Sequence, residues 1–220
     1  MKRIEKYTMV VMVCSLLVML VSSCKKEGYL TDGGVAKAVT PLSNYDYLKA
    51  NKFHYFDTTI LLIDHFNLKD SVNKAGTFFA FTNFSVNALM TRLQCNSLDQ
   101  LYDSVSSKLL TQYMFSDTSI TLSNMTLDAK LYRNWASDTL KSGVKVIEGT
   151  YVEYLTSSIP VFTYNTLQYV KVNGVIDNSA GAPVDDPIDI ILSCQTTGIK
   201  TSSGAKTLHV FANNVTLNKY

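Results

Sequence analysis

Histidine is scarce in this 220-residue chain: His54, His65 and His209 are all it has. No HExxH, GxSxG, phosphate-loop or paired-carboxylate signature occurs at a spacing that would support chemistry, so no catalytic residue and no cofactor is read from the sequence. None of the four cysteines lies in a CxxC pair, which leaves redox and zinc chemistry without a pattern, and no metal ligand set is assigned. Neither an internal repeat nor a heptad seam is present. The apolar run from 8 to 21 is only 14 residues long, whereas a helix needs roughly 20 to cross the hydrocarbon.

That short run has a definite context. Lys2, Arg3 and Lys6 precede it, Ser22 and Ser23 follow it, and Cys24, Lys25, Lys26 and Glu27 end it. A positive patch, an apolar stretch and small residues in that order make an export signal. The spelling Leu20-Val21-Ser22-Ser23-Cys24 resembles the lipobox of bacterial lipoproteins. It implies a signal peptide over 1–23 and a mature chain beginning at a lipidated Cys24. More than one acyl chain there would give durable anchoring, since each buried methylene contributes roughly 0.8 kcal/mol. The alternatives are an ordinary secretory leader cleaved elsewhere and an unusually short membrane anchor. The expected location is the outer membrane, with the chain lipid-anchored at the cell surface or facing the periplasm.

Cleavage changes the charge balance. The chain has 20 basic and 18 acidic residues; residues 1–23 hold three and one of these, so seventeen of each remain. A neutral mature chain argues against nucleic acid as a partner, because neutralising phosphates needs a basic footprint.

Residues 24–43, with Gly28, Gly33, Gly34 and Pro41, read as a flexible tether, and 44–220 as one domain. Its first half has helical spacing. Asp57 or Thr58 is placed to cap a helix carrying Ile60, Leu61, Leu62, Ile63 and Phe66. Residues 77–81 (TFFAF) read as a short buried strand, and Asn83 or Ser85 starts a helix with Val86, Leu89, Met90 and Leu93. Ser97 begins another, with Leu98, Leu101, Val105, Leu109 and Leu110 along one side. The second half changes period: 144–155, 161–172 and 207–216 are rich in β-branched and aromatic residues. Asn173-Gly174 predicts a tight hairpin joining Val170 and Val172 to Val175 and Ile176. Helices first and antiparallel strands afterwards predict an α+β domain.

Three stretches of that domain resemble the fasciclin (FAS1) family, in the form common among surface lipoproteins of Bacteroidota. Gly76-Thr77-Phe78-Phe79-Ala80-Phe81-Thr82-Asn83 is similar to the family's opening box, with Phe81 where proline is usual. Leu109 to Phe115 is similar to its leucine-rich helix, with Tyr113 in place but Met114 where histidine is usual. Thr201-Ser202-Ser203-Gly204 followed by Leu208-His209-Val210-Phe211 resembles the closing box, with two extra residues in the spacing. The resemblance implies a wedge-shaped β-sandwich with helices on its side, and a role in adhesion or surface contacts rather than catalysis. Its motif residues here are Thr77, Phe79, Thr82, Asn83, Tyr113 and His209. His209 is expected to pack internally.

The chain has 13 tyrosines. Tyr132, Trp135, Tyr151, Tyr154, Tyr164 and Tyr169 gather around the strand-rich half, and exposed Tyr and Trp suit protein interfaces and sugar-face stacking, so these form the candidate binding face. The alternative is a Tyr-rich surface without a partner. Cys95 and Cys194 are either disulfide-bonded, which export permits, or small buried thiols. His65 lies beside the apolar stripe of its helix and reads as half-buried structure. Asp177, Asp185, Asp186 and Asp189 surround Gly181-Ala182-Pro183, where a solvated connector competes with a calcium loop. The three formal glycosylation sequons, at Asn83, Asn124 and Asn214, read as chance. Two functions follow as expectations: a lipid-anchored adhesion module contacting a surface protein or matrix, and an accessory glycan-binding lipoprotein of a polysaccharide-uptake system.

Overall fold

The computed structural model describes residues 39–137, 139, 142–152, 160–177 and 183–217. Cys24 and Tyr154 lie outside them, as do the leader and residues 24–38 of the expected tether. Helix α1 (Asn44–Lys49) starts where Ser43 Oγ accepts the amide of Asp46 at 3.2 Å and donates to its carboxylate at 2.7 Å. That reciprocal pairing satisfies one of the orphan amides of a helix start. Helices α2 (Asp57–His65) and α3 (Lys69–Lys74) follow, then strand β1 (Thr77–Ala80), all four of whose residues are buried. Helix α4 (Asn83–Arg92) buries Ser85, Val86 and Leu89.

Two local expectations are corrected. Helix α2 has no side-chain cap from Asp57 or Thr58. Its start is held instead by Asn83, whose Oδ1 accepts both the amide (2.9 Å) and the hydroxyl (2.8 Å) of Thr58, while its Nδ2 donates to the His54 carbonyl at 2.6 Å. The long helix expected after Ser97 is broken into α5 (Leu98–Ser104) and α6 (Lys108–Thr111) by Val105, whose φ and ψ of −128° and 170° are extended.

The strands β2 (Met114–Phe115), β3 (Lys130–Tyr132), β4 (Ser142–Val152), β5 (Pro160–Lys171), β6 (Ile190–Thr201) and β7 (Lys206–Phe211) join β1 in one sheet, ordered β2-β1-β7-β6-β5-β4-β3. Only β1 and β7 run parallel, with Thr77 opposite Thr207. The two ends of the sheet approach each other. The Trp135 amide beyond β3 donates to the Met114 carbonyl in β2 at 3.0 Å, and the Phe115 and Tyr132 rings lie 6.0 Å apart, edge to face. The fold is therefore a nearly closed seven-stranded barrel, which overturns the expected fasciclin-like wedge of two facing sheets. Register shifts in β6 at Cys194/Thr196 and Thr196/Ile199 supply the curvature.

Aromatic side chains fill the interior. Phe79 stacks on Phe211 at 5.6 Å and on His209 at 4.7 Å, and Tyr113 meets Tyr169 edge to face at 5.1 Å. Rings this size carry much of the burial that stabilises a small barrel. Helix residues Leu62, Ile63, Leu89 and Leu101 belong to the same core.

Residues 39–43 sit at the end of the stretch read as a tether. Val39 pairs in parallel with Lys200, and the Ser202 and Ser203 amides donate to the carbonyls of Leu42 and Thr40 at 2.7 and 2.9 Å. The expected Asn173-Gly174 hairpin is absent: β5 ends at Lys171 and its next partner is Ile190. Gly174 does take a left-handed φ of 77°, but the chain beyond it is held by carboxylates rather than by a strand partner. Asp189 accepts the amides of Asn173 and Asp177 at 2.8 and 2.9 Å, and Asp186 accepts that of Val175.

Candidate functional site

The ladder between β5 and β6 runs from Lys171–Ile190 to Gln168–Ser193, while β4 and β5 stay paired as far as Tyr151–Phe162. Beyond Ser193 the bulged β6 follows β7, and the β4–β5 hairpin projects past it. A groove of about 490 Å³ opens at the divergence, lined by Ile147, Tyr164, Thr166, Ser193, Gln195 and Asn214 among others. One bridge crosses its floor, from Thr166 Oγ1 to the Cys194 carbonyl at 2.8 Å.

Alternation along β5 sends Leu167 and Tyr169 into the core, so Tyr164 and Thr166 face outward. Tyr164 keeps 51% of its surface exposed. Its phenol end lies over Gly149 on β4: a Cβ there would sit 2.4 Å from Tyr164 Cζ. The missing side chain of Gly149 thus gives the ring its seat. Around it stand the amides of Asn214, which has no side-chain hydrogen bond among the described residues, and Gln195, bonded weakly to Asn213 at 3.4 Å, while Asn165, between Tyr164 and Thr166 in the strand, turns to the other face. Among the described residues, no carboxylate or ammonium lines this groove.

Asn165 and Thr197 also line a second, more open recess of about 800 Å³, whose other residues include Thr118, Ser119, Ser123, Asn124 and Lys200. Hydroxyls and amides dominate here too, with Lys200 the single charged group. Its Nζ donates to Thr207 Oγ1 at 2.8 Å, and that hydroxyl donates to the Thr118 carbonyl at 3.2 Å.

His209 fixes the walls of this recess from within. It is fully buried; its Nδ1 accepts the Gly198 amide at 3.1 Å, and its Nε2 lies 2.9 Å from the Ile120 carbonyl. Those partners require the neutral tautomer with hydrogen on Nε2. Burial pulls its pKa down to about 4; the Ile120 carbonyl opposes that and the Lys200 charge adds to it. The histidine therefore joins β6 at Gly198 to the loop before the 3-10 turn Leu122–Asn124.

The residues singled out from sequence scatter. Tyr169 and Tyr132 are 1% and 7% exposed and belong to the core, where burial pushes the Tyr132 phenol up to about 12. Trp135 is half-buried and donates to Ser116 Oγ at 3.0 Å. Tyr151 lies in β4, and its side chain is outside the described residues. Among the described residues of that expected face, Tyr164 is the one exposed member. Cys95 and Cys194 are buried free thiols, not a disulfide, and burial raises the Cys194 pKa. The motif residues are interior supports: Thr77 donates to the Asp117 carbonyl at 2.6 Å, Thr82 to Asn213 at 2.9 Å, and Phe79 and Tyr113 pack in the core. His65 is exposed rather than half-buried, stacked on Tyr102 at 3.8 Å. Asp177, Asp186 and Asp189 spend carboxylate oxygens on backbone amides, and no cluster of three metal-ligating side chains occurs among the described residues.

Two features escaped sequence reading. Gly149 within a strand was an available sign of a close approach. Asn165, Gln195, Asn214 and Lys200 carry no pattern of their own, because a bulged ladder brings them together. A separate exposed aromatic group joins Phe53, Tyr55 and Phe84, with ring centroids 5.6 and 6.4 Å apart along the series. No protein-family model matches the chain, and no curated protein matches it in sequence.

Proposed function

We propose that this protein is a non-catalytic glycan-binding module, held outside the cytoplasm by lipid on Cys24. The observation that carries the reading is Tyr164: an exposed aromatic ring seated over Gly149 in a groove with no charged group among its described residues, with the amides of Gln195 and Asn214 on the same lining. Sugars offer an apolar C–H face and a rim of hydroxyls. An aromatic ring meets the first, and amides and hydroxyls, each able to donate or accept, meet the second.

The test is a glycan array with the purified chain, followed by calorimetry on the best ligand. Tyr164→Ala should weaken binding by about tenfold or more. Gly149→Ala, which drives a methyl into the seat of the ring, should weaken it without touching a polar group. Retention of full affinity by both variants would refute the assignment. Anchoring is tested separately with Cys24→Ser, which should abolish acyl labelling and release the protein from membranes.

A second reading has its own observation. The Phe53, Tyr55 and Phe84 group is an exposed apolar surface far in character from the groove, of the kind that marks protein contacts. It supports adhesion to a surface protein. A Phe53→Ser/Phe84→Ser variant that loses attachment while keeping glycan affinity would favour it.

A further inference from the structure

Resting on the glycan reading, the geometry points to an acidic oligosaccharide as the ligand: we infer that the chain lies across both recesses, with an anionic group of one sugar, carboxylate or sulfate, bound by Lys200. Three observations carry this. The recesses share Asn165 and Thr197 at the opening where β5 and β6 are no longer paired, and Asn165 turns from the face of Tyr164 toward the second recess, so a ligand passing through that opening meets both. Their volumes, about 490 and 800 Å³, each fall in the range of small-molecule pockets, which gives room for more than one ring. Among the described residues, Lys200 supplies the only charge on either lining.

The state of Lys200 is informative. An ammonium has three N–H donors, and the protein uses one, on Thr207 Oγ1. Among the described residues it has no carboxylate partner, and it is half-buried. A partly desolvated cation held in place by a hydroxyl, with donors to spare and no acid on the lining, is complementary to an anion. The surrounding hydroxyls and amides of Thr118, Ser119, Ser123 and Asn124 suit the sugar that bears it. The bridge from His209 to Gly198 and Ile120 keeps both walls in register, so the site is formed before ligand arrives.

The experiment is calorimetry of the full chain with three hexasaccharides: neutral cellohexaose, hexagalacturonate, and a sulfated hexasaccharide. At least one anionic probe should bind about tenfold more tightly than the neutral one, equal to about 1.4 kcal/mol. Raising the salt should erode that gain and spare neutral binding. Lys200→Met should remove the gain, Lys200→Arg should keep it, and both should melt like the parent. Which anionic probe carries the gain separates carboxylate from sulfate. Equal affinity for all three probes, or a gain that survives Lys200→Met, overturns the inference. In that event, neutral binding that still depends on Tyr164 leaves the glycan reading standing; no binding by any probe removes both.

Discussion

Acid should destabilise this protein through one side chain. Folded, His209 titrates at about 4, against an ordinary value of 6.5. Above pH 6.5 both folded and unfolded chains hold the imidazole neutral, and its full contribution is present. Between 6.5 and 4 the unfolded chain binds a proton that the folded chain refuses, so stability falls as pH falls. Below 4 both are protonated and the loss is complete. The gap corresponds to about 3 kcal/mol at 1.36 kcal/mol per pH unit. The main cause is burial, with the Lys200 charge adding to it; a proton on Nδ1 would also face the Gly198 N–H, exchanging a hydrogen bond for a clash inside the core. Urea unfolding at several pH values between 7.5 and 4 measures the slope. His209→Gln supplies the control, since an amide keeps one donor and one acceptor but does not titrate. Carboxylates common to both proteins cancel in the comparison. The variant should start less stable and lose about 3 kcal/mol less across the window. Parallel slopes for the two proteins would refute the argument.

Other expectations follow from single contacts. Gly76→Ala would place a methyl 2.1 Å from the Ser116 backbone oxygen, and should cost about 1–3 kcal/mol or more in thermal unfolding. Asn83→Ala removes the remote cap of α2 and should cost about 1–2 kcal/mol; Asn83→Asp, which keeps the acceptor for Thr58 but not the donor to His54, should fall between. Cys95 and Cys194 should resist thiol reagents in the native chain and both react after unfolding without reductant. A mass two daltons low, with no labelling at either position, would show a disulfide instead.

Sequence period revealed elements better than it revealed their assembly. The run at 77–81, apolar after Thr77, read as a short buried strand and corresponds to β1, and the β-branched stretches at 144–155 and 161–172 correspond to the paired strands β4 and β5. β6 was missed because IILSCQTTGIKT opens on three consecutive apolar residues, and two bulges then interrupt any period of two. The Asn173-Gly174 turn misled for another reason. Its left-handed glycine is real, yet Asp186 and Asp189 satisfy the amides that a strand partner would have taken. Closure of the sheet depends on contacts such as Trp135 to Met114, which no local pattern encodes. The groove was equally illegible: alternation predicts that Tyr164 and Tyr169 differ by an odd number of steps and so face opposite ways, but not which one is outside.

The place of β7 bears on how the chain reaches this state. It follows β6 in sequence and lies between β1 and β6, so the helical half and the β3–β6 meander are joined through it. Contacts across that junction, such as Thr82 with Asn213, span 131 residues. Closing a loop of that length costs on the order of 4 kcal/mol before the pairing returns anything. High contact order of this kind makes folding slow. A growing chain holds β1 and β6 as open edges on that side until β7 arrives, and the barrel completes only then.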